Sequence, residues 1–151
     1  MSLNDWLANR WIAAHEPTVE EIADLFAVVD RDLADANIPR LTPDWRLGIT
    51  YNAALQLATL ALAAAGYRPG RDRAHERAIL SLRETAGIPS KAVNLLDTVR
   101  RKRNQNNYER AGTTSAAEAT ELHNAVTTLR GDIVRWLKKS HPTLCPLGIK
   151  A

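Results

Sequence analysis

The chain has 151 residues, which suits one domain able to bury about two-thirds of the surface its unfolded form would expose. Hydrophobic residues make up 45% and charged residues 25%, so neither a disordered nor a fibrous chain is indicated, and the single cysteine, Cys145, excludes an internal disulfide and a cysteine-based zinc site. The net charge is only +3, but residues 68–77 and 100–110 hold nine of the twenty Lys and Arg, whereas 16–35 carry seven Asp or Glu and one Arg.

No basic-then-apolar leader opens the sequence, and a cytoplasmic setting is expected. A first amphipathic helix is predicted over about Leu3 to His15, with Trp6, Leu7 and Trp11 in one stripe and Pro17 as its stop. Trp6 and Trp11 read as packing anchors or dimer contacts. A second helix, about Val19 to Ala36, opens with Thr18 and Glu21 at capping-box spacing and repeats Ile22, Leu25, Phe26, Val29 and Leu33 at helical intervals. The third, from Pro43 to Ala65, has Thr42 as cap, Pro43 in the first turn and Asp44 suited to the dipole, and Gly66 ends it.

Leu47 to Tyr67 is 21 residues without a charge, long enough to span a bilayer. Ala, Thr and Gly fill most of it and Asn52 and Gln56 interrupt it, so a central helix surrounded by others is expected rather than a membrane span. Its alanines let neighbours approach closely. Tyr51, Asn52 and Gln56 are expected as buried polar groups bonded to adjacent helices, with pocket lining as the alternative. Asp44 reads as an N-terminal charge, and Arg46 as an exposed cation or a group facing the pocket.

A fourth helix, about Asp72 to Ala86, places His75, Ile79, Leu82 and Ala86 on one face, which makes His75 a core histidine or, alternatively, an accessory site residue. The fifth starts near Ser90 with Val93, Leu96 and Val99 and then carries its apolar face into Arg100, Arg103 and Asn107. Four cations, Arg100, Arg101, Lys102 and Arg103, run here into amides and Tyr108. Adjacent like charges and asparagines burden a helix, so a polar pocket or an interface is expected at this end. Arg103 offers a planar fork of donors to phosphate, Asn104 donates and accepts, and Tyr108 supplies a hydroxyl and a ring. A solvated charged face and a partner's carboxylates are the competing readings.

Ser115 and Glu118 form another capping box for a last helix, about Ala116 to Lys139, with Leu122, Val126, Leu129, Ile133, Trp136 and Leu137 as its seam. Residues 1–139 therefore read as one domain and 140–151 as a tail. His15 and His141 fall at helix ends and His123 on the seam's flank, half-exposed, and the scattered histidines make no metal site. The predicted architecture is all-α, an up-and-down bundle of five or six helices.

The string Arg103-Asn104-Gln105-Asn106-Asn107-Tyr108, late in a helix, resembles the Arg-Asn-x-x-x-His or Arg-Asn-x-x-x-Tyr element of HEPN domains (higher eukaryotes and prokaryotes nucleotide-binding). The alanine-rich helix from Tyr51 to Ala65, the turn Gly66-Tyr67-Arg68-Pro69 and the following His75 are similar to many prokaryotic HEPN proteins. The resemblance spans about Asp44 to Tyr108. It implies a helical bundle, commonly a homodimer, working in toxin-antitoxin or other defence systems without a metal or other cofactor, with RNA or a nucleotide as ligand and an antitoxin or nucleotidyltransferase as partner. In many members an Arg and a His from each subunit form a ribonuclease site. Carried over, Arg103 is the motif arginine, Asn104 its polar neighbour, and Tyr108 occupies the histidine position. Metal-free cleavage needs groups that exchange protons near neutral pH, which histidine does and tyrosine, near about 10, does not. Binding or regulation is therefore expected ahead of cleavage. Arg103 and Tyr108 would be the catalytic pair in an RNase, and a purely structural dimer or partner-binding module is the third reading.

Overall fold

The computed structural model describes residues 1–106 and 112–151. It is an all-α bundle with one small sheet, in the order α1 Leu3–Ala8, β1 Ile12–Ala14, α2 Val19–Asp35, α3 Pro43–Ala64, β2 Tyr67–Pro69, α4 Ala74–Thr85, α5 Ser90–Asn106 and α6 Ala116–Ser140, closed by a 3-10 turn at Pro142–Leu144.

Helix starts follow the local chemistry. The hydroxyls of Thr18, Thr42 and Ser115 accept from the amides of Glu21, Trp45 and Glu118, and at Ser115 the Glu118 carboxylate returns the bond. The N-cap of α4 is Arg73, whose left-handed backbone (φ 53°) carries no side-chain cap.

The first helix is shorter than expected. It ends at Ala8 because Arg10 turns left-handed (φ 60°), and the chain continues as β1, antiparallel to β2 with Ala13 opposite Arg68. The stripe that suggested a continuous helix survives by another route, since the turn stacks Trp6 edge-on against Trp11 at 5.6 Å between ring centroids. Beside it Ile12 and Leu62 complete a small apolar cluster.

Helix α3 is central. Ala53, Ala54, Ala58, Ala61, Ala63 and Ala64 are buried, as are Leu47, Leu55, Leu57, Leu60 and Leu62. Helices α2, α4, α5 and α6 and strand β2 all pack on it, and alanine removes the side-chain bulk that would hold them apart. Among the described residues α3 is the one helix long and apolar enough to cross a membrane, and it lies mostly inside the bundle.

The core runs through Ile22, Phe26 and Val29 of α2, Ile79 and Leu82 of α4, Val93 and Leu96 of α5, and Leu122, Val126, Ile133 and Leu137 of α6. Residues beyond α6, expected as a tail, fold back on it: Leu144, Cys145 and Ile149 pack against this core, and Arg130 donates to the Lys150 carbonyl at 2.6 Å.

Asn52 has the expected bond to a neighbouring helix, donating at 2.7 Å to Asp32, which is 5% exposed and also takes the Arg31 guanidinium. Gln56 donates to Asn52 at 3.4 Å.

The sheet depends on one close approach. A Cβ added at Gly70 would lie 2.5 Å from the Arg10 carbonyl oxygen and 3.1 Å from that of Trp11, both backbone atoms with little room to retreat. Gly70→Ala is expected to cost about 1–3 kcal/mol and lower the thermal midpoint. An unchanged midpoint by circular dichroism would contradict this packing.

Candidate anion-binding site

The basic run on α5 does not act as one face. At about 100° per residue, four consecutive cations point in different directions, and the structure gives each a different environment.

Lys102 turns toward α6. Its ammonium lies 2.5 Å from Glu118 and donates to the Thr113 carbonyl at 3.3 Å. Glu118 is held below its ordinary carboxylate range by that ammonium and then by the Ser115 amide. Lys102 was expected among the anion-facing residues; its charge is instead committed to the start of α6.

Arg100 lies toward α4. Its side chain is only 15% exposed, with Nε 2.9 Å from Asp97 and Nη2 3.9 Å from Glu76. Arg101 is exposed and reaches Asp97 at 3.5 Å. With Asn104 they line a solvent-open cleft of about 640 Å³, whose opposite wall is Arg73, Ala74, His75 and Glu76 from the start of α4. His75 is exposed here and not a core histidine: it lies one turn before the point at which α4 enters the core through Ile79.

Arg103 lies toward α3. It is half-buried, its guanidinium carbon 5.2 Å from the centre of the Tyr51 ring. Gly48, one turn earlier on α3, lies alongside: a Cβ there would meet the Arg103 Nε at 3.8 Å, an ordinary van der Waals contact. Among the described residues no carboxylate or hydrogen-bond acceptor engages this guanidinium. The apolar face of α5 does turn cationic at Arg103, as its spacing implied. Tyr108, Asn107, Glu109 and Arg110 lie outside the described residues.

Tyr51 departs from expectation. It is 2% exposed, and its hydroxyl finds no partner among the described residues. Burial pushes its phenol above the ordinary value of 10.0, while Arg100 and Arg103 pull the other way.

Asp44 and Arg46 frame this end of the bundle. The Asp44 carboxylate accepts from the Gly112 amide at 2.6 Å and the Thr114 amide at 3.2 Å, which pins the approach to α6 on the first turn of α3. Those bonds, Gly112 first, lower its pKa. Arg46 does not enter the cleft; it donates to the Ala36 carbonyl at 3.1 Å and to Thr120 at 3.4 Å. Pocket lining was the alternative reading for Tyr51, but nothing local in the sequence pairs its ring with Arg103. Asp97, three and four residues before Arg100 and Arg101, was a readable counter-ion.

The other histidines lie away from this cleft, each against a partner of its own. His15 Nε2 lies 2.8 Å from both Glu21 oxygens, His123 Nε2 is 3.0 Å from the Leu33 carbonyl, and His141 meets Trp136 edge-on. Among the described residues no cluster of His, Cys, Asp and Glu has the arrangement of a metal site.

Comparison with protein-family models, with curated proteins and with solved structures yields no match for this chain.

Two variants test the geometry. Tyr51→Phe keeps the ring beneath Arg103 and removes a buried hydroxyl that has no partner among the described residues, so stability in denaturant should hold or rise by up to about 1 kcal/mol; a loss of stability would reveal an acceptor or donor on the hydroxyl. Asp44 has a lowered folded-state pKa, so its contribution is complete above the ordinary carboxylate value of 3.8 and is lost as pH falls through the lower folded value. Asp44→Asn should therefore weaken the protein at neutral pH and remove part of the stability loss seen on acidification. Parallel unfolding curves for both proteins across that range would refute the clamp.

Proposed function

We propose that the chain is a HEPN-type protein that binds RNA or a nucleotide through the cationic end of α5, with Arg103 as the principal phosphate contact and Arg100, Arg101 and Asn104 beside it. The observation that carries this is the state of the Arg103 guanidinium: half-buried, oriented over Tyr51 and without a described acceptor. A guanidinium held in place with its donors unspent is suited to a phosphodiester, because a flat fork of N–H groups matches two phosphate oxygens. Arg100 is instead paired with Asp97 and Glu76, so it contributes chiefly by walling the cleft. Lys102 drops out of the contacting set.

On this reading the protein belongs with toxin-antitoxin or defence systems, works as a homodimer and answers to an antitoxin or nucleotidyltransferase, and its task is binding or regulation. One observation favours metal-independent RNA cleavage as a second reading: His75 is exposed at the cleft beside Arg100, Arg101 and Asn104. Histidine is the side-chain type most often used as a general acid or base, and tyrosine is used for that task less often.

The two readings separate in one set of measurements. With fluorescently labelled single-stranded RNA titrated across salt concentrations, Arg103→Ala should weaken binding about tenfold or more and flatten the log–log salt slope by about 0.7, with a stability change of only about 0.5–1 kcal/mol from the lost contact to Tyr51. An unaltered titration removes Arg103 from the site. Incubation with RNA in EDTA tests cleavage: His75→Ala and Tyr108→Phe should each abolish it if the second reading holds, and intact RNA across pH sets that reading aside. Dimer dissociation by Arg103→Glu with RNA affinity unchanged would assign the residue to a subunit interface.

A further inference from the structure

A second cationic surface lies outside the α5 site. Segment 68–77 carries Arg68, Arg71, Arg73 and Arg77 against only Asp72 and Glu76, and Glu76 is already divided between Arg73 at 3.0 Å and Arg100 at 3.9 Å. The fold brings in a fifth arginine from far away in sequence. The pairing of β1 with β2 and the close approach of Gly70 to the Arg10 and Trp11 carbonyls put Arg10 beside this segment. Arg10, Arg68 and Arg71 are exposed, and no described carboxylate lies within ion-pair distance of them.

Arg77 adds an independent mark. Its guanidinium stacks 3.8 Å from the centre of the Trp11 ring, it is half-buried, and its Nε has no hydrogen-bond partner among the described residues. Arg77 and Arg103 thus share an unusual state: each is a half-buried cation fixed on an aromatic ring with no described carboxylate. Of the other half-buried cations, Arg100, Lys102 and Arg130 sit on acids, and Arg46 donates to a carbonyl and a hydroxyl. Arg73 joins the two surfaces, since it lies two residues after Arg71 and also lines the cleft with Arg100 and Arg101.

We infer that this ridge, Arg10, Arg68, Arg71 and Arg77, is a second phosphate-contacting site, continuous through Arg73 with the α5 cleft, and that the ligand is an extended single-stranded RNA rather than a mononucleotide. The inference rests on the reading of the α5 end as a nucleic-acid site and extends it. Cations spread over a strand pair, a helix start and a second helix cannot all reach one nucleotide, whereas a strand carries a charge at each linkage and follows such a track.

The test uses the full chain and labelled oligouridylates of increasing length, from a dinucleotide upward. Arg10→Asn, Arg68→Gln and Arg71→Gln are combined, asparagine being tolerated by the left-handed backbone at position 10. Lys138→Gln, Lys139→Gln and Lys150→Gln, exposed positions on α6 and at the C-terminus, make a control of equal charge. Thermal midpoints confirm that both variants fold. In the wild type the salt slope should steepen with oligonucleotide length; the ridge variant should lose about 2 of that slope on long oligonucleotides and leave dinucleotide binding unchanged, and the control should do neither. Three results overturn the ridge while the α5 site stands: a slope independent of length, a ridge variant matching the wild type on long RNA, or a control that flattens the slope equally. Absence of binding to any oligonucleotide or nucleotide removes the α5 reading and the ridge with it.

Discussion

The constraint on which this molecule depends is that α3 must be covered on nearly every side. A 22-residue helix with so little charge can stay in a water-soluble arrangement only if other helices enclose it, and its alanines let α2, α4 and α6 come close enough to do so. Close enclosure leaves few places where a polar group can touch α3. Asn52 reaches one through Asp32, and Tyr51 makes another, where the Arg103 side chain enters. The position of Arg103 is a consequence of how α3 is packed.

The same geometry explains why neighbouring cations on α5 differ so much. Helical rotation sends Lys102 to α6, Arg100 to the acids near α4 and Arg103 to the aromatic floor on α3. Surface ion pairs contribute little individually, but they consume the charge that would otherwise meet a ligand. On the proposed reading, functional weight therefore falls on the cations that the fold orients without a carboxylate among the described residues. Arg103 meets this description on α5, and Arg77 over Trp11 meets it on α4.

Much of the architecture was legible because its signals are local. The cap at Thr42, the box at Ser115 and Glu118, and the apolar repeats of α2 and α6 need only a few residues of context, and these elements fall within a residue or two of their expected bounds. What escaped was set by distant contacts. The break after Ala8 requires β2, more than fifty residues later, as a partner for β1. His75 shares helical spacing with Ile79, but that spacing cannot report that the first turn of α4 lies outside the core. The run from Arg100 to Arg103 suggested a polar site by its composition, and which of its members lacks a counter-ion among the described residues depends on Asp97, Glu76, Glu118 and Tyr51, three of them on other helices.

The central claim is that the Arg103 guanidinium, resting on Tyr51, is the group that meets phosphate. Nuclear magnetic resonance of the arginine side-chain Nε–Hε groups during titration with a short RNA reads this directly, since each guanidinium reports its own hydrogen bonding. The account predicts that the Arg103 resonance shifts progressively and saturates, while that of Arg46, bonded to the Ala36 carbonyl away from the cleft, stays in place. A static Arg103 signal under conditions in which the RNA is bound would contradict it.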